Sequence, residues 1–246
     1  MSKIQSSETD YRSSHLQRGK TYDGHLADAP FGAHMNDLER LHLTSIVPRL
    51  FPAGIPKYLD FACGTARITQ TVAPFAKEAV GVDISPTMLE QARRKCPDVQ
   101  FIEADLTQVK PEIGLFDLAT SFRFFGNAEP ALRSKVLQVL AEMVRPSGYL
   151  IINNHRNPHS LAALLHRATG GPSETDLTYS GLRRILGANG FQIIESHPIG
   201  AWLYRSRMFN QIGKLDDKLL KRERLFGHRM LSPIAPDTIL VARRLA

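Results

Sequence analysis

A chain of 246 residues, 43% of them hydrophobic, is long enough for one large core with decorations. Its two cysteines, Cys63 and Cys96, match no metal-ligand spacing and are too few for a disulfide framework, so a reducing cytoplasm is the expected setting. The polar, Ser-rich residues 1–20 lack the apolar core of a secretory signal, and no run approaches the ~20 apolar residues of a membrane span, so a soluble protein is expected.

Residues 1–50 read as a capping segment, helical from near Asn36. Beyond it, runs rich in Val, Ile, Leu and Phe recur at residues 58–62, 79–82, 99–102, 115–121 and 149–153, with helical patterns between them. That alternation is the mark of βαβ units on a parallel sheet, an α/β fold, within a domain over residues 51–246. Between the second and third runs, Ser85 is placed as an N-cap with Pro86 in the first turn, and Met88, Leu89 and Ala92 share one face of a crossover helix. A second helix starts near Pro130, aligns Leu132, Val136, Leu140 and Met143, and is expected to end at Pro146-Ser147-Gly148. A third, over residues 180–188, buries Leu182, Ile185 and Leu186 and stops at Asn189-Gly190. Residues 191–196 and 238–242 supply the last two strands.

The formal net charge of +7 is concentrated between Gly200 and Ala246, where ten Lys and Arg meet four acids. A basic helical stretch, residues 204–226, falls inside an insertion at residues 200–236. With the N-terminal segment it is expected to cap the open ends of the strands. Its charge suits an acidic substrate, weak contact with an anionic membrane surface, or nucleic acid; Asp217 and Lys221, at i,i+4 spacing, equally suit a solvated helix face.

The chemistry-bearing residues begin in Tyr58-Leu59-Asp60-Phe61-Ala62-Cys63-Gly64-Thr65-Ala66-Arg67, where an apolar strand enters a loop of small residues and leaves as a helix. Gly64, lacking a Cβ, lets a ligand approach the backbone, and the helix N-terminus beyond offers N–H groups to a carboxylate. The next strand ends at Asp83, 19 residues after Gly64, the offset at which an acid meets ribose hydroxyls in nucleoside-binding α/β folds. Asp105 follows the third strand, where a carboxylate accepts from an exocyclic adenine amine. A dinucleotide would need the G-x-G-x-x-G that admits a pyrophosphate, whereas this loop reads A-C-G-T-A-R from Ala62, and there is no Walker loop. A nucleoside without phosphates fits this pattern better.

Asp60 to Arg67 resembles motif I of the class I S-adenosylmethionine-dependent methyltransferases, usually D-x-G-C-G-T-G, with Ala62 and Ala66 in place of two glycines. Val82-Asp83-Ile84-Ser85 resembles their second motif and Ala104-Asp105-Leu106 their adenine-contact motif. The resemblance implies a Rossmann-like seven-stranded, mostly parallel sheet in the order 3-2-1-4-5-7-6, with strand 7 antiparallel and helices on both faces. It also implies S-adenosyl-L-methionine as cofactor: Ala62, Cys63 and Gly64 pass under it, Asp83 holds the ribose, Asp105 with the Leu106 backbone holds the adenine, and Asp60, Arg67 and Ile84 complete the cofactor-binding set. Ser121 lies where this class places residues beside the reactive methyl, and Tyr22 lies in a stretch that folds over the cofactor in similar enzymes.

Methyl transfer is an in-line displacement at an activated carbon, so positioning the acceptor and excluding water carry much of the work. A hydroxyl acceptor needs a general base, and His155, in the polar run Asn153-Asn154-His155-Arg156-Asn157 after the fifth strand, is the candidate; His197 is a second. Arg123, in Ser121-Phe122-Arg123-Phe124-Phe125-Gly126-Asn127, is suited to holding an acidic group on the substrate, and Phe122, Phe124 and Phe125 either line an acceptor pocket or pack in the core. The same segment has neither the Pro-Pro-aromatic run of adenine N6-type enzymes nor the Pro-Cys of cytosine C5-type enzymes, which argues against nucleic acid as substrate. The expected activity is methyl transfer to a small molecule or a lipid- or sugar-linked acceptor, with oxygen favoured over nitrogen. The alternatives are an RNA- or protein-modifying methyltransferase that docks through the basic C-terminal segment, and a cofactor-binding protein without catalysis. The acceptor itself and the oligomeric state stay open.

Overall fold

Strands of a parallel sheet are buried on both faces, and here each apolar run sends alternate side chains into two different cores. On β1 (Ile55–Phe61) Tyr58 faces one core and Leu59 the other. The same split separates Ile151 from Leu150 and Ile152 on β5 (Val144–Asn153), and Ile239 and Val241 from Leu240 and Ala242 on β7 (Asp237–Arg244). The computed structural model describes residues 30–109, 111–171, 175–200, 227 and 229–245. Tyr22, residues 201–226 and most of the N-terminal cap segment lie outside the described residues.

Seven strands form one sheet in the order β3-β2-β1-β4-β5-β7-β6, with β2 spanning Ala76–Asp83, β3 Gln100–Glu103, β4 Phe116–Ser121 and β6 Phe191–Ile199. All neighbours pair in parallel except β7, which runs antiparallel to both β5 and β6. This is the order the resemblance implies. One face is covered by α1 (Pro30–Leu50), which buries Met35, Leu38, Leu43, Ile46 and Val47. A four-residue α2 (Thr69–Val72) and a 3-10 turn (Ala73–Phe75) lead from the motif loop to β2. The opposite face is covered by α4 (Pro130–Met143), through Leu132, Val136, Leu140 and Met143, and by α6 (Tyr179–Ala188), through Leu182 and Leu186. At about 1.5–3 kcal/mol for each fully buried Leu or Ile, these two layers dominate the stability. The crossover helix α3 (Pro86–Lys95) starts as expected, its N-cap Ser85 accepting from Met88 N at 3.4 Å.

Three elements differ from the sequence-based expectation. Helix α4 ends at Met143, because Val144 already has extended dihedrals; Pro146-Ser147-Gly148 form an irregularity inside β5, where Ser147 has φ +65°. A short helix α5 (Leu161–Ala168), N-capped by Ser160, has no counterpart in the apolar pattern; Leu161, Leu164 and Leu165 stay exposed, so no core-facing leucine stripe signals it. The motif loop leaves as turns and only then as α2, so the expected helix N-terminus is four residues long and too short to carry a useful dipole.

Candidate active site

The sheet reverses its order between β1 and β4, and the carboxyl ends of the strands open there into a cavity of about 460 Å³. Its floor is the loop after β1. Ala62, Gly64 and Ala66 all have positive φ (54°, 54° and 65°), the backbone path for which the motif ordinarily supplies glycine. The loop is pinned by Cys63 N to Val82 O at 3.0 Å, Ala66 N to Cys63 O at 2.9 Å and Gly64 N to the Asp83 Oδ2 at 2.8 Å. A Cβ built on Gly64 meets nothing within 4 Å, so the backbone lies bare on its open side. Cys63 packs with Ala66, Leu89, Ala92 and Phe101, and burial pushes its thiol well above the usual range, which favours the protonated thiol.

Asp60 lies beneath this floor. Thr69 Oγ1 donates to its Oδ2 at 2.6 Å and Thr120 Oγ1 to its Oδ1 at 2.8 Å, while the Tyr58 hydroxyl, at 2.7 Å, donates to Thr120. Both carboxylate oxygens are thus turned to the interior, and burial raises the Asp60 pKa to about 6 in spite of those bonds. Asp83 accepts Ser85 N at 2.9 Å on its other oxygen, so this one carboxylate joins the floor to the start of α3. Asp105 Oδ1 accepts from Thr107 N and Thr107 Oγ1 at 2.9 and 2.7 Å, ordering its own turn while lining the cavity beside Leu106 and Ile84.

The far wall combines Phe122, Arg123, Phe124, His155 and Arg156. Phe125 is fully buried and packs edge-on against Phe124, so it belongs to the core. Gly126 is required beneath His155: a Cβ there would stand 2.6 Å from the His155 carbonyl oxygen. The His155 Nδ1 lies 2.9 Å from Asp237 Oδ2, which is 1% exposed. With Nδ1–H donating to that carboxylate, Nε2 is the lone-pair nitrogen of the neutral ring. Burial raises the Asp237 pKa, opposed by the His155 hydrogen bond and charge. Asn153 joins this pair to β4, accepting Arg123 N at 2.7 Å and donating toward Asp237 at 3.3 Å.

Of the residues expected from sequence, Asp60, Ala62, Cys63, Gly64, Arg67, Asp83, Ile84, Asp105, Leu106, Arg123 and His155 all line this one cavity. Ser121 does not: it is fully buried at the end of β4, below the cavity wall. His197 also lies elsewhere, bonded to Glu195 at 2.9 Å on β6. Sequence reasoning misses two residues. Asp237 is countable there as a charge only, yet the antiparallel register Asn153↔Ile239, continued by two residues, sets it opposite His155. Glu39 sits on α1, far away in sequence, and carries no local signal.

A family model described as a methyltransferase domain matches residues 59–148, which span the floor, Asp83, Asp105 and β4. Over that stretch the chain is similar to methyltransferase domains, and its strand order, with β7 antiparallel, is the one the resemblance to the class I S-adenosylmethionine-dependent enzymes implies. The chain is 32% identical over 103 residues to a demethylmenaquinone methyltransferase of Paenarthrobacter aurescens, covering 42% of this chain and 40% of that one. It is 30% identical over 151 residues to a trans-aconitate 2-methyltransferase of an Azoarcus species, covering 59% and 53%. The chain thus matches about half or less of the length of these curated relatives. In fold it is similar to the magnesium protoporphyrin IX methyltransferase of Synechocystis, solved with bound S-adenosylhomocysteine, at a TM-score of 0.66 and 17% identity over 95% of this chain and 97% of that one. It is also similar to the N-methyltransferase NodS of Bradyrhizobium japonicum, at a TM-score of 0.60 and 17% identity over 95% and 97%.

Proposed function

We propose that this chain transfers a methyl group from S-adenosylmethionine to a hydroxyl of a small-molecule or lipid- or sugar-linked acceptor. The observation that carries the reading is the His155–Asp237 pair, a carboxylate-held histidine, on the same cavity as the Asp83-pinned loop.

The residues fit the cofactor. Gly64 leaves the floor open to a flat ligand, Asp83 lines the cavity at the end of β2 with a carboxylate that can accept roughly four hydrogen bonds, and no glycine-rich phosphate cradle is present. Asp83 is suited to ribose hydroxyls and Asp105 to the adenine amine, with Ile84 and Leu106 against the base. Arg67 is the cation beside the floor and replaces the short helix as partner for a carboxylate. When bound, the cofactor supplies a methyl carbon already activated by a sulfonium.

For the acceptor, His155 Nε2 takes the hydroxyl proton, and Asp237 holds the ring and stabilises the imidazolium that results. Phe122 and Phe124 exclude water and Arg123 offers charge to an acidic acceptor. A nitrogen acceptor would not require this pair, which is why oxygen is favoured. The test is calorimetry with S-adenosylhomocysteine: the wild-type chain binds, and Asp83→Ala weakens binding roughly 10–100-fold, the loss of one or two charge-assisted hydrogen bonds. Unchanged affinity in Asp83→Ala removes Asp83 from the site, and no binding by the wild type removes the whole reading.

A further inference from the structure

We infer that Glu39 is a positioning residue that couples the cofactor floor to the proton-accepting pair, so that α1 supplies a working part of the site as well as a cover. Its role toward the cofactor rests on the function proposed above.

Glu39 is completely buried among the carboxyl ends of β1, β4 and β5. One oxygen, Oε2, accepts from Arg67 on the floor and lies 3.6 Å from Arg123 Nη2 on the far wall. The other, Oε1, accepts from Asn153 Nδ2 at 3.3 Å, and Asn153 in turn holds Arg123 N and approaches Asp237. One carboxylate therefore joins the floor, the β4 loop and the His155–Asp237 pair. Arg67 and Arg123 are only 14% and 12% exposed, so water compensates their guanidiniums only in part when the carboxylate is lost. Burial alone would raise the Glu39 pKa, but the charges of Arg67, Arg123 and His155 outweigh it and hold the pKa below the ordinary value.

Glu39→Gln keeps shape and removes charge. One of its two positions becomes an NH2 donor facing either Arg67 or Asn153 Nδ2, both donors, so at least one link must break. Two readouts follow. By NMR hydrogen exchange on the full chain without cofactor, the Arg123 N–H, held by Asn153, and the Ala66 N–H, beside Arg67, should both exchange at least about 10-fold faster than in the wild type, while core amides such as Leu150 are unchanged. S-adenosylhomocysteine affinity should fall about 10-fold, and Glu39→Gln should cost much less than that in an Arg67→Gln background, because Arg67, which itself reaches the cofactor carboxylate, is the link through which Glu39 acts. If Glu39→Gln does not fold, Glu39→Met with Arg67→Met removes the charge pair whole and should still speed exchange at Arg123. Wild-type exchange at Arg123 in either protein, or additive losses of affinity, overturns the inference. A wild-type chain that binds no S-adenosylhomocysteine defeats the proposed function alone, and the exchange data then judge Glu39.

Discussion

Replacing Asp60 by Asn should change how stability depends on pH more than it changes the fold. In the folded chain the Asp60 pKa is raised from 3.8 to about 6, because burial opposes the charged form more strongly than Thr69, Thr120 and Arg67 favour it. Below pH ~3.8 the group is protonated folded and unfolded and makes no difference. Between pH ~3.8 and ~6 the unfolded chain ionises first, so the folded state loses stability as pH rises; above ~6 both forms are ionised and the loss stays constant. Raising the pKa this far costs the folded state a total of about 3 kcal/mol at neutral pH, of which about 2 kcal/mol falls between pH ~4.5 and ~7.5. Urea denaturation of wild type and Asp60→Asn across that interval isolates the contribution of Asp60, since every other titrating group is common to both. The wild type should lose about 2 kcal/mol relative to the variant from the acid end to the neutral end. A difference that stays constant within ~0.5 kcal/mol would mean that Asp60 titrates as an ordinary carboxylate and that the Thr69–Asp60–Thr120 chain does not bury a charge.

Gly64→Ala should fold, since the added methyl meets no atom within 4 Å, yet it places that methyl over the bare floor at a φ of +54°; S-adenosylhomocysteine binding should drop in calorimetry while the thermal midpoint falls only slightly. His155→Ala should lower kcat by about 100- to 10,000-fold with cofactor affinity retained, and Asp237→Asn should lower it less; equal turnover by His155→Ala in a labelled-methyl assay would point to an acceptor that needs no base. Ala62→Gly removes a left-handed penalty of about 1–2 kcal/mol and adds about 0.5–1 kcal/mol of unfolded-state entropy, so urea titration should find it neutral to slightly more stable than the wild type.

The sheet is legible in the sequence because its strands are buried on both faces and stand out as nearly continuous apolar runs, and the floor is legible because Asp60–Arg67 and Asp83 are local patterns at a fixed offset. Residues that act through tertiary contact leave no such trace. Glu39 reaches Asn153 across 114 positions, and nothing in the helical pattern around it distinguishes it from a surface acid. Asp237 is the intermediate case: its partner follows from the β5–β7 register once the strand order is known, so resemblance and pairing geometry together would find it. Ser121, the last residue of the buried strand β4, is itself buried and does not line the cavity, a placement that its position in the sequence does not reveal.

The two alanines in the floor stand at positions of positive φ where the motif ordinarily carries glycine. A glycine in such a loop serves the backbone, by allowing positive φ, or the ligand, by leaving space, and these requirements separate here. Ala66 is strained in φ alone: it is fully buried against Cys63, Leu89, Ala92 and Phe101, and it does not line the cavity. Its methyl therefore adds packing beneath the floor, which offsets part of the strain of about 1–2 kcal/mol. Gly64, whose Cβ would enter open space above the floor, stays glycine. Glycine thus stands where a methyl would project over the floor and alanine where it packs beneath, as at Ala66, or lines the cavity edge, as at Ala62, with Asp83 and Val82 holding the strained loop in place.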